Sequence, residues 1–381
     1  MKNLLKVFPF IVMLVTSCSA DKGIHKQTVL NVVDKLDTSA FKLSCIYIGA
    51  KANKVDRFIE FAKKHGLNAF VVDIKNDHGE ITCDLGVKDL PYNKEIKDIK
   101  SFLTKCNENG IYTIARIVAF KDKIKTESDP EMAILNLDGS VHVDKENMRW
   151  LNPYNKAARD YVIRIAKLTA QLGFDEIQFD YIRLPHYNKS VQETNIKNCV
   201  DKESKVQVIN RFLKEAVSEI HKLGKKVSVD VFGCTIPGSL PNDDVKISQK
   251  NLGQDYIAIA QIADYICPMI YPSHWPTQSF KIKFPDLEPY KVVLHAMNLS
   301  NKALGDNYKK VRPWIQAFSA TWLQNGAWKA YGITELQQQI DATKDNYLNE
   351  FSLWNPSAKY SFHSKERSNN RNQRTCYKRC S

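Results

Sequence analysis

The chain of 381 residues is 43% hydrophobic and 25% charged, a balance that builds a large core and excludes a disordered or collagen-like polypeptide. Its formal net charge is +13, but Lys2 and Lys6 fall in the leader and residues 361–381 carry six basic side chains against Glu366, which leaves about +6 between them. Lysine far outnumbers arginine, so the excess belongs to solvated surface and a basic tail; no nucleic-acid partner is expected, and attraction to anionic envelope polymers is the most the charge supports.

Residues 1–17 read as a signal peptide: a lysine-bearing start, an apolar run from Val7 to Val15 too short to cross a bilayer, then small residues. Val15-Thr16-Ser17-Cys18 resembles a lipobox, which would make Cys18 the lipidated first residue of a bacterial envelope lipoprotein; ordinary cleavage near Ala20 is the alternative. No later segment reads as transmembrane, so the expected partner here is a membrane reached through a lipid anchor. Residues 18–40 form a tether with a short amphipathic piece from Val29 to Leu36. Eight further cysteines show neither a CxxC pair nor zinc spacing, so they are expected to be small buried residues, with Cys376 and Cys380 the one pair close enough to join.

From there one unit repeats: a helical stretch, a glycine, a hydrophobic strand. It reads KKHGLNAFVVDIK, NENGIYTIARIVAF, AQLGFDEIQFDYIR and HKLGKKVSVDVFG, with Gly66, Gly110, Gly173 and Gly224 where a helix end needs a left-handed residue. LSCIYIG precedes these units, and strand candidates in DYICPMIYP, RPWIQAF and EFSLWNP follow. Eight strands near residues 43, 69, 111, 176, 227, 265, 313 and 350 predict a closed (β/α)8 TIM barrel over residues 41–358. The helix between the sixth and seventh strands is poorly marked. Residues 185–203 and 233–253 are expected as long loops on the active-site side, and residues 359–381 as a basic tail with the composition of disorder.

Alternation along the strands assigns their faces. Ile177, Phe179 and Tyr181 suit the helix side and leave Glu176, Gln178 and Asp180 inward; Val227, Val229 and Val231 leave Ser228 and Asp230 inward. Asp73, followed by Lys75, takes the equivalent place on the second strand. Arg116, Tyr271, Gln316 and Trp354 come from the third, sixth, seventh and eighth. Carboxylates ending adjacent strands suit glycosidic cleavage, which needs one protonated donor and one ionised group. Arg116 or Lys75 could hold the ionised one. His274, Trp275 and Trp354 add flat rings that suit a sugar face or, equally, a packed rim. The sequence holds no GxSxG elbow, P-loop or zinc helix, and DIKNDHGEITCD departs from an EF-hand in spacing, so neither cofactor nor metal is expected.

Taken together, NAFVVDIKNDHGEITCD, GIYTIARIVAFKD, DGSVHVDKENMRWLNPYNKAARDY, GFDEIQFDYIRLP, VSVDVFG, GQDYIAIAQIADYICPMIYPSHW and RPWIQAF resemble a glycoside hydrolase domain family of bacterial envelope proteins, similar to α-amylase-like barrels. The resemblance implies a TIM barrel, a carbohydrate substrate, Asp180 as nucleophile and Asp230 as acid/base, where relatives usually place a glutamate. The chain departs from the family pattern after Gln316, with Ala317 where an aspartate is expected. Two functions follow: an envelope-anchored glycoside hydrolase or transglycosylase, and a non-catalytic glycan-binding or adhesin-like barrel.

Overall fold

A computed structural model describes residues 35–136, 138–185, 196–197, 204–240 and 251–360. The leader, Cys18, most of the tether, much of both long loops, the tail beyond Tyr360, and Cys199, Cys376 and Cys380 lie outside the described residues.

Eight parallel strands close into a barrel, each paired with its neighbours in chain order. They are β1 (Leu43–Gly49), β2 (Ala69–Lys75), β3 (Tyr112–Val118), β4 (Glu176–Asp180), β5 (Lys226–Phe232), β6 (Tyr265–Ile270), β7 (Trp314–Gln316) and β8 (Glu350–Trp354). Between successive strands run α1 (Val55–His65), α2 (Ile99–Glu108), α3 (Lys156–Leu172), α4 (Lys205–His221), α5 (Tyr256–Ile262), α6 (Pro289–Leu304) and α7 (Ile333–Asp345). The TIM barrel expected from the sequence is therefore the fold.

Local signals explain the helix limits. Asn155 caps α3 by accepting from the Ala157 and Ala158 amides, and Gly173 ends it at φ 118°. Ser204 and Gln207 form a reciprocal capping box at the start of α4. The weakly marked α6 proves to be a full helix of 16 residues. It starts on a proline with no side-chain cap and carries adjacent valines, so proline is its one start signal, and it is held by burying Val292, Val293, Ala296 and Met297.

Alternation separates two cores. Ile46, Phe70, Ile117, Phe179, Val229 and Leu353 pack outward against the helices, whereas Cys45, Val71, Ile114, Cys267, Tyr271 and Trp314 cluster inside the barrel. Below them the amino-terminal end is closed by charge. Arg312, with 0% of its side chain exposed, donates to both Glu176 oxygens at 2.7 and 3.2 Å and to Glu350 at 2.8 Å. Its guanidinium lies 4.1 Å from the centre of the Tyr265 ring.

Truncating Arg312 would strand two carboxylates inside the barrel. Arg312→Leu is expected to cost about 3–5 kcal/mol in unfolding free energy, read as a lowered urea midpoint.

Candidate active site

Strand register builds the upper end of the barrel. Arg116 on β3 stands directly beside Asp73 on β2 and opposite Gln178 on β4, and Asp180 ends β4 two residues further on. The guanidinium therefore spans two strands: Nη1 donates to Asp73 Oδ1 at 2.7 Å, while Nε and Nη2 donate to Asp180 Oδ2 at 3.0 and 2.5 Å. Burial opposes the Arg116 charge, but the two carboxylates outweigh it and raise its pKa further. Tyr47 donates its hydroxyl to Asp73. The Tyr181 amide donates to Asp180 Oδ1 at 2.6 Å, with Tyr181 in the left-handed region at φ 49°. A non-glycine residue in that region costs roughly 1–3 kcal/mol.

Asp230 on β5 is 1% exposed. Its Oδ1 accepts from the Trp314 indole at 2.7 Å. Burial and then the charge of Asp180 push its pKa well above the ordinary value of 3.8, against the lowering effects of Arg116 and the indole bond. Adjacent strands thus end in a carboxylate clamped by a guanidinium and a carboxyl group biased toward holding its proton. Tyr271, whose hydroxyl is pushed up by burial and then by Asp230 and Asp180, stacks on Trp354 with centroids 4.7 Å apart. His274 lies against Tyr271 with its ring centroid 5.2 Å away and remains open to solvent.

Asp180, Asp230, Asp73, Arg116, Tyr271, Trp354 and His274 are thus brought to one end of the barrel. The other three predicted residues do different work. The register between β2 and β3 shifts between Asp73 and Lys75, so Lys75 pairs with the outward-facing Ile117. Its buried ammonium bonds Asp122 at 2.9 Å and the Val118 carbonyl at 2.8 Å, so among the described cations it is Arg116 that clamps Asp180. Gln316 is fully buried; it accepts from Ser273 and donates to Asp286 and the Phe318 carbonyl. Trp275 packs into the helix-side core against Phe280, and a Cβ at Gly233 would come within 3.0 Å of its ring. Ala317 lies in that outer core as well. Sequence reasoning missed Tyr47 and Trp314, although both sit at inward positions of their strands and alternation alone could have found them.

The comparisons bear on the fold and the family. An eight-stranded barrel with clustered carboxylates at its carboxyl end has the architecture of glycoside hydrolase barrels. A family model, "Putative glycosyl hydrolase domain", matches residues 43–360, and the chain belongs to that family. Among solved structures it is similar to a β-galactosidase from the psychrophilic Marinomonas ef1 (11% identity, 82% of this chain and 54% of that one, TM-score 0.55). It is also similar to the α-galactosidase AgaB of Geobacillus stearothermophilus (10% identity, 82% and 38%, TM-score 0.51). A protein of Ruminiclostridium thermocellum solved as a hypothetical protein is 31% identical over 49% of this chain and 97% of its own, with a TM-score of 0.44. The chain spans about half the length of the Marinomonas enzyme or less of the Geobacillus one, and these likenesses speak for the fold. No curated protein matches.

Asp230 makes folding pH-dependent. Its native carboxyl holds a proton more tightly than an unfolded aspartate, so its contribution is fully present below the ordinary value of 3.8 and is lost as pH rises through the elevated native value. Asp230→Asn is expected to remove that loss. Urea unfolding from pH 4 to pH 8 should show the variant gaining on the wild type as pH rises; a constant difference would contradict the assignment.

Proposed function

We propose that this protein is an envelope-anchored glycosidase in which Asp230 is the general acid and Asp180 the nucleophile or water-orienting base. The observation that carries it is the contrasting surroundings of two carboxyl groups on adjacent strands, Asp180 bonded three ways by N–H donors and Asp230 buried with its pKa pushed up. In this reading Asp230 gives its proton to the glycosidic oxygen as the bond to the anomeric carbon breaks. Asp180 then bonds that carbon, with water later releasing the sugar, or directs water to it. Arg116 holds Asp180 in place, and Asp73 in turn holds Arg116. Tyr271, Trp354 and His274 would face the sugar. The carbohydrate substrate accords with the family, and the anchor rests on the leader and Cys18.

Purified protein incubated with cell-wall and storage glycans is expected to release reducing ends. Asp180→Asn should bring release to background, and Asp230→Asn should slow it by about 10²–10⁴-fold. Activity should fall on the alkaline side as Asp230 loses its proton. No release from any glycan would leave the non-catalytic glycan-binding reading in its place, and an active Asp180→Asn protein would remove the role assigned to Asp180.

For the anchor, Cys18→Ser is expected to move the protein from the membrane fraction to the soluble one in a bacterial host. Equal membrane retention in both would remove the lipoprotein assignment.

A further inference from the structure

The rings around the carboxylates do not stop at Trp354. Phe318, in the loop after β7, meets Trp354 edge-on with centroids 5.3 Å apart and Tyr271 at 6.1 Å. Trp322, four residues on, stacks on Phe318 at 5.7 Å with an interplanar angle of 23°, and His274 lies 6.2 Å from each of them. Trp322 is 45% exposed, among the few large apolar side chains that reach solvent in the described residues.

An exposed indole alone would be unremarkable, but this one stands on a braced loop. The buried amide of Gln316 donates to the Phe318 carbonyl at 3.0 Å, and the Tyr331 amide donates to the Ser319 hydroxyl at 2.9 Å. The buried Asp286 ties the two flanks together, accepting from Gln316 at 2.9 Å and from the Lys329 amide at 3.3 Å. Two buried polar groups, with the half-buried Ser319 beside them, thus fix a loop whose tip presents a flat ring to water. A rigid amphipathic ring gives large contact area at little entropic cost, and a pyranose offers it an apolar face of C–H bonds with hydroxyl groups at the edge.

We propose that Trp322, backed by Phe318, is a second sugar subsite that receives a pyranose ring one or two units from the bond held at Asp180 and Asp230. The inference rests on the glycosidase reading and deepens it. The substrate is a glycan chain lying across the barrel mouth, longer than a disaccharide.

Binding tests this without turnover. The full-length Asp180→Asn protein is run through native gels containing soluble glucan, galactan or N-acetylglucosamine polymers. Retardation is expected in at least one gel. Adding Trp322→Ala should weaken it about fivefold, and Trp322→Phe should recover part of the loss. Equal retardation with and without Trp322, or no retardation in any gel, overturns the subsite. So does a loss of self-association in Trp322→Ala with retardation unchanged, which would assign the ring to contact between copies. Glycan release by the wild type is scored separately: release with Trp322-independent binding sinks the subsite alone, and Trp322-dependent binding without release sinks the enzyme reading alone. Matched melting curves guard against misfolding.

Discussion

A closed parallel barrel turns every second side chain of each strand inward, and a charge placed there must find its counter-charge within the same narrow column. Arg116 meets that demand at the upper end. Its three bonds to Asp73 and Asp180 tie β2, β3 and β4 together and leave β5 to carry a carboxyl group with no cation of its own among the described residues. The different environments of Asp180 and Asp230 follow from that arrangement: one guanidinium serves one side of the pair, and Asp230 meets burial, a neighbouring negative charge and a single indole N–H.

The lower end obeys the same constraint with different wiring. Arg312 joins β7 to β4 across the barrel axis through Glu176, and to β8 through Glu350. Cys45, Val71, Ile114 and Cys267 line the interior as a small apolar cluster. One charged network shapes the reactive end and the other seals the opposite end.

Much of this was legible in the residues because period-two alternation is a strong signal when the strands are apolar. Glu176, Gln178, Asp180, Ser228 and Asp230 could all be assigned inward from their neighbours alone. What was not legible depended on departures from that period or on contacts distant in sequence. Lys75 was misjudged because the register shift after Asp73 turns it outward, and nothing in FVVDIK announces a bulge. Gln316 obeys the alternation, yet its partners Ser273 and Asp286 come from loops some 30 to 43 residues away. Trp275 read as a rim residue because an aromatic loop looks the same whether its ring turns out or in. Helix α6 was faint because tertiary burial holds it in place of caps.

Tyr181 carries an implication for how such a chain would drift or be improved. Its left-handed backbone is costly for an aromatic residue, and glycine or asparagine would relieve that cost. A library sorted for thermal robustness would enrich those replacements, whereas one sorted for glycan turnover would be expected to keep a residue whose ring packs 5.8 Å from Trp150 beside the catalytic end of β4. The two selections would pull position 181 in opposite directions, so the residue favoured there in a population would report which pressure had acted on it.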